Sequence, residues 1–100
     1  MRSGASPKSN PLLHYSWLHH TMHITIAKVD ETYFDGEAES LTVPGIDGEL
    51  TIMGNHMPLI TTLKEGSVVV RDKSLPAGRQ EFPIQGGVLE VRAEGATVLL

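Results

Sequence analysis

Turn signals recur about every ten residues through most of this chain, and no other feature restricts its fold as strongly. Asp35-Gly36, Pro44-Gly45, Asp47-Gly48, Gly54-Asn55, Glu65-Gly66, Pro76-Ala77-Gly78, Gly86-Gly87 and Gly95 follow one another at short intervals. Glycine supplies the positive φ that tight hairpins need, and Asp and Asn tolerate it. Between these points lie short apolar or alternating runs at 23–29, 38–43, 48–53, 59–63, 67–72, 80–85, 87–92 and 95–100. No window of helical length carries a 3.6-residue period, so helix content is expected near zero. Regularly spaced short strands with polar turns describe an all-β fold, a sandwich or barrel.

The two-residue period of a strand assigns faces. Leu41 and Val43 point one way, with Ser40 and Thr42 opposite; Leu50 and Ile52 point inward, with Glu49, Thr51 and Met53 on the other face. Leu89 and Val91 are core positions, and Glu90 and Arg92 are solvated. Val68-Val69-Val70 is apolar on both faces, as in a strand covered on both sides. Pro83 cannot donate a ladder hydrogen bond, which places 80–85 at an edge or on a bulge. With one Trp, two Tyr and two Phe, the core must be aliphatic.

Residues 1–21 differ in kind. Ser, Pro, Gly and Asn dominate up to Pro11, and a His-rich stretch without a period follows. They read as a disordered leader or extension, with the folded domain over 22–100.

Composition removes several classes of function. The formal net charge is −4 and the eight basic residues are scattered, which does not suit a phosphate backbone, so nucleic acid is not expected as a partner. The absence of cysteine removes disulfides, thiolate catalysis and Cys-based metal sites. No apolar run approaches the roughly 18–20 residues of a spanning helix. His14, His19, His20 and His23 invite a metal reading, but they fall in the least patterned stretch, with no carboxylate at ligand spacing. His56 follows a strand and precedes Met57-Pro58; no partner carboxylate or reacting group accompanies it, so an interface role is weighed against a plain loop residue. Asp30-Glu31, Glu37 and Glu39 read as a hydrated acidic surface, and 72–79 as an extended hairpin loop. Gly86-Gly87 is a bend and no dinucleotide fingerprint, because no helix follows it. From the residues alone the chain is an all-β binding or structural module without catalytic groups or a cofactor site.

From His23 to Leu100 the sequence resembles the N-terminal β-sandwich domain of the epsilon subunit of F-type ATP synthase. The resemblance is carried by His23-Ile24-Thr25-Ile26, Phe34-Asp35-Gly36, Leu41-Thr42-Val43-Pro44-Gly45, Asp47-Gly48-Glu49-Leu50-Thr51-Ile52, His56-Met57-Pro58-Leu59, Thr61-Thr62-Leu63-Lys64-Glu65-Gly66, Gly86-Gly87-Val88-Leu89-Glu90-Val91 and Ala96-Thr97-Val98-Leu99. It implies a flattened sandwich of two antiparallel sheets with eight to ten short strands. It also implies a non-catalytic rotor subunit at the foot of the central stalk, on the cytoplasmic face of the membrane. There the subunit binds the gamma subunit and the c-ring and couples ion-driven rotation to ATP synthesis. By resemblance Glu49 faces the c-ring, while His56, Thr61 and Lys28 lie near the gamma contact. The family usually continues into a C-terminal helical hairpin that can inhibit ATP hydrolysis; this sequence stops at Leu100, so no such role is expected of these residues. Gly54-Asn55-His56 stands where the family more often has Pro-Gly-His. The rival reading is a free-standing β-sandwich binding module, and a third is a small His-dependent hydrolase or metal protein.

Overall fold

The computed structural model describes residues 21–54 and 57–100. Nine strands fill most of them: β1 (Met22–Lys28), β2 (Glu31–Ala38), β3 (Ser40–Gly45), β4 (Gly48–Met53), β5 (Leu59–Leu63), β6 (Gly66–Arg71), β7 (Arg79–Ile84), β8 (Gly87–Arg92) and β9 (Gly95–Leu99). The one helical element among the described residues is a single 3-10 turn at Pro76–Gly78.

Hydrogen bonds link the strands in the order β2-β1-β9-β8-β5-β3-β6-β7, with β4 added to β3. That path curls over so far that its two ends meet: Phe34 of β2 packs edge-to-face on Phe82 of β7, with ring centroids 6.1 Å apart. Strand β3 makes the fold possible by carrying three neighbours. Its whole length pairs with β4, while its other edge is shared between β6 at Ser40–Thr42 and β5 at Gly45. The curled sheet is the expected β-sandwich. Every pairing is antiparallel except β1 with β9, which run parallel from His23↔Gly95 to Ala27↔Leu99.

The interior is one aliphatic cluster. Ile24 and Ile26, Leu41 and Val43, Val68 and Val70, and Leu89 and Val98 are fully enclosed, and Met22, Ala38, Ile52, Leu63, Ile84, Val91 and Ala96 complete the group. Each fully buried branched side chain contributes about 1.5–3 kcal/mol relative to exposure, so this cluster dominates the favourable side of folding. Leu41 and Val43 are the β3 pair that faces the core, the inward assignments of Ile52 in β4 and of Leu89 and Val91 in β8 hold, and all three valines of β6 are buried. Leu50 is only half-buried at the sheet margin.

Three expectations change. Asp35-Gly36 is no turn but lies inside β2; the chain reverses at Val29-Asp30, and Tyr33 and Phe34 use their β-forming side chains in a strand the turn reading had hidden. Ser40 and Thr42 are buried although they face away from the main core. Their face is covered by side chains of the adjoining strands: Arg71 Nη1 donates to Thr42 Oγ1 at 3.1 Å, and the Thr42 and Thr51 hydroxyls lie 3.0 Å apart. The loop expected at 72–79 as an extended hairpin connection is tightly built. Asp72 N–H donates to Gly78 O (3.1 Å), Leu75 N–H to Asp72 O (3.0 Å) and Gly78 N–H to Leu75 O (2.9 Å), while Asp72 Oδ2 accepts from the Ser74 amide and hydroxyl.

Edge strands invite unwanted pairing, and each edge here is blunted. β2 carries Glu31, Asp35 and Glu37; β4 carries Glu49; β7 carries Arg79, Glu81 and the expected edge proline, Pro83.

Candidate functional site: a turn-lined end of the sandwich

The register gathers several turns at one end of the sheet. Ala27 pairs with Leu99, Leu99 with Val88 and Val88 with Thr62, and Ile46 N–H donates to Thr62 O at 2.9 Å. The turns at 29–30, 46–47, 64–65 and 86 therefore share an end with the close of β9. Lys64 N–H donates to Pro44 O at 2.9 Å, which fastens the β5–β6 turn to the strand leading into the β3–β4 turn. Gly48, with φ of 136°, supplies the positive φ that closes the β3–β4 turn.

Two of the four residues assigned by resemblance meet here. Glu49 of β4 and Thr61 of β5 line one cleft of about 290 Å³ together with Gly45, Asp47, Gly48, Leu50 and Leu59. Glu49 is exposed and Thr61 half-buried, so the cleft offers a free carboxylate beside a hydroxyl on a partly apolar floor. Lys28 is exposed at the end of β1 and belongs to a different feature, a groove of about 870 Å³ between the two terminal strands of the sheet path. Tyr33, Phe82 and Leu100 form its apolar wall, and Lys28 and Glu65 are its charged lining. His56 lies outside the described residues, so its contacts form no part of this geometry.

The surface around these features carries exposed apolar side chains. Val29 is 104% and Ile46 is 54% exposed at two of the turns. On the outer face of the sheet Ile60 of β5, Val88 of β8 and Leu99 of β9 are also exposed. The ionisable or hydroxyl side chains lining the cleft, among the described residues, are the Asp47 and Glu49 carboxylates and the Thr61 hydroxyl. Among the described residues no group of three His, Cys, Asp or Glu side chains could hold a metal ion.

His23 requires a correction. Grouped by sequence with the leader histidines and left without carboxylates, it is a β1 residue whose Nε2 pairs with Asp35 and whose Nδ1 lies 3.2 Å from Glu37 Oε2. These hydrogen bonds hold its pKa above the ordinary 6.5, Asp35 contributing most and Glu37 next. The signal that would have found this cluster is the β1–β2 register, hidden by reading Asp35-Gly36 as a turn.

Comparison with known proteins agrees with this architecture. The family described as the ATP synthase delta/epsilon chain β-sandwich domain matches residues 21–100. The ATP synthase epsilon chain of Herminiimonas arsenicoxydans is 43% identical over 81 residues, spanning 80% of this chain and 56% of that protein. That of Caulobacter vibrioides is 37% identical over 78 residues, covering 78% of this chain and 87% of that protein. The chain thus spans little more than half the length of most of the relatives it resembles. Among solved structures, a chain of the Euglena gracilis mitochondrial ATP synthase (OSCP/F1/c-ring) superposes with a TM-score of 0.70 at 18% identity, over 79% of this chain and 49% of that one. A chain of the Tetrahymena thermophila mitochondrial ATP synthase central stalk and c-ring gives 0.65 at 22% identity, over 78% and 61%. At these identities the superpositions establish the shared fold. With the family match extending over the whole described domain, the chain belongs to the ATP synthase delta/epsilon chain family and carries its β-sandwich domain.

Proposed function

We propose that this domain is a non-catalytic rotor component of an F-type ATP synthase, joining the gamma subunit to the c-ring at the foot of the central stalk. In that role it couples ion-driven rotation to ATP synthesis and sits on the cytoplasmic face of the membrane through its partners alone. The observation that carries this reading is the delta/epsilon-chain family match over residues 21–100 together with the similarity to epsilon chains, and the geometry supports it in three ways.

A rotor foot must pass torque without deforming. A single close-packed aliphatic core threaded by a strand with three neighbours is stiff, because interiors at crystal-like density resist compression. A rotor foot also needs an end rich in contacts. The turns at 29–30 and 46–47 present Val29 and Ile46 beside the charges of Lys28, Asp47 and Glu49, the apolar-with-polar mix of a partner-covered surface. The exposed group of Ile60, Val88 and Leu99 is further apolar area that an obligate partner would cover.

In this reading Glu49 meets basic or amide groups of the c-ring loops, and Thr61, Lys28 and His56 meet gamma. Residues 1–21 precede the working domain at 22–100, a division supported by the family match beginning at 21 and by β1 beginning at Met22.

The absence of native cysteine makes the test clean, since one introduced thiol is the protein's only one. In the assembled complex from the same source, Glu49→Cys should cross-link to a c-ring cysteine partner and Thr61→Cys to gamma. A chain that assembles yet cross-links to neither would overturn the assignment and favour a free-standing binding module.

A further inference from the structure

Strand β2 ends one side of the sheet path and is hydrogen-bonded through β1 alone, so its attachment depends on what crosses that one seam. At the Lys28 end of the seam the register slips between Ile26 and Ala27, and Phe34 leans on Phe82. At the other end three ionisable side chains stand on the outer face in adjoining cross-strand rows. His23 is directly opposite Glu37, and Asp35 is opposite Thr25, two residues along. The His23 ring lies between the two carboxylates, Nε2 toward Asp35 and Nδ1 toward Glu37, while Thr21 Oγ1 donates to Glu37 Oε1 at 3.1 Å.

Both ring nitrogens thus face acceptors. A neutral imidazole carries one N–H and can satisfy one of the two carboxylates; the imidazolium carries two and satisfies both. Strand β9, on the other side of β1, contributes no charge to that row. The residue opposite His23 is Gly95, where even a Cβ would come within 2.1 Å of His23 O. The next charge in the row is Arg92 of β8, which is engaged by Glu90 at 3.0 Å and Glu94 at 3.6 Å. Among the described residues, then, Asp35 and Glu37 are the charges that face the ring, and both belong to the edge strand.

We propose that His23 is a proton-operated latch for edge strand β2: as the imidazolium it ties Asp35 and Glu37 to β1, and as the neutral ring it releases one of them and lets that end of β2 open more often. The latch is independent of any partner the domain binds. The carboxylates that bond the ring raise its pKa, so the sign is fixed. The tie is at full strength below the ordinary histidine value of 6.5 and is lost as pH rises through the raised value. All three groups are exposed, so added salt weakens the latch.

The test uses the full chain. The His23 imidazole is titrated by NMR in the wild type and in an Asp35→Asn/Glu37→Gln double variant. Amide hydrogen-exchange protection across Asp35–Ala38 is compared at about pH 5.5 and about pH 8, corrected for intrinsic rates, in the wild type and in His23→Gln. The latch predicts a wild-type pKa above 6.5 that falls in the double variant. It also predicts a loss of β2 protection of about 1.5- to 5-fold at the higher pH in the wild type, the range of an exposed ion pair, with no such pH dependence in His23→Gln. A wild-type ring titrating at or below 6.5, or His23→Gln protection that changes with pH as the wild type does, overturns it. The double-variant titration keeps the test decisive if His23→Gln does not fold.

Discussion

Glu49 of β4 and Thr61 of β5 line one cleft although their strands do not pair with each other, because β3 hydrogen-bonds to both. The cleft is a consequence of the sheet's branching. β3 splits one edge between β5 and β6, which leaves the β3–β4 turn standing against the last residues of β5, Thr62 and Leu63. Lys28 approaches the same end from β1 but opens onto the separate groove beside Phe82 and Leu100. A partner that contacts Lys28, Glu49 and Thr61 together must therefore extend over the end of the sandwich; it cannot sit in one pocket.

Glu49 has no described side-chain partner and is exposed, so its carboxylate is free for an outside group. Glu49→Ala should leave unfolding free energy within about 0.5 kcal/mol of the wild type. The same change should weaken association with the c-ring about two- to fivefold, as expected for one exposed charged contact. Chemical denaturation and a binding titration at fixed salt measure the two effects. A large stability loss would mean that Glu49 holds the fold instead.

Leu41 is fully enclosed on the strand with three neighbours, where little can collapse into a gap. Leu41→Ala should cost about 2–5 kcal/mol, read as a lower denaturation midpoint at unchanged slope. A cost under about 1 kcal/mol would show that this part of the core is loosely packed.

Gly95 marks the closest approach of β9 to β1, since a Cβ there would lie 2.1 Å from His23 O and 3.0 Å from its carbonyl carbon. Backbone atoms cannot step aside as a flexible side chain can. Gly95→Ala should therefore destabilise the domain by about 1–3 kcal/mol by forcing the parallel pair apart. Thermal unfolding of this single substitution gives the answer, and an unchanged melting temperature would contradict the close pairing.

Asp72 organises the β6–β7 loop by accepting from the amide and hydroxyl of Ser74, bonds that hold its pKa below the ordinary 3.8. A depressed carboxylate contributes stability above its unfolded value and loses it as pH falls through the folded one. Asp72→Asn should be less stable than the wild type near neutrality, with the difference shrinking as pH drops below 3.8. Melting curves of both proteins across that range check the sign, and a gap that widens on acidification would refute it.

Much of this was legible in the residues. Strands β4, β5 and β8 fall where alternation and turn signals placed them, and β1, β6, β7 and β9 are displaced by a residue at most at either end. The aliphatic core followed from the shortage of aromatics. What sequence patterning missed has a common cause in pairing, which a single strand's residues do not encode. Asp35-Gly36 is a good turn dipeptide, but in β2 it sits opposite Thr25 and Ile24, and the ladder with β1 overrides the local preference. Pro44-Gly45 also reads as a break, yet β3 runs through it, because Pro44 needs no donor to serve as an acceptor for Lys64. The burial of Thr42 depends on Arg71, distant in sequence and brought beside it by the β3–β6 pairing. Glu49 and Thr61 could be named by resemblance, but their meeting in one cleft needed the branching of β3.

The most direct test of the central claim is co-purification of the full chain with the gamma subunit from the same source, by size exclusion at physiological salt. The rotor reading predicts a stable one-to-one complex that survives dilution and additionally retains the c-ring when it is supplied. A folded, monodisperse sandwich that elutes apart from gamma would contradict that reading.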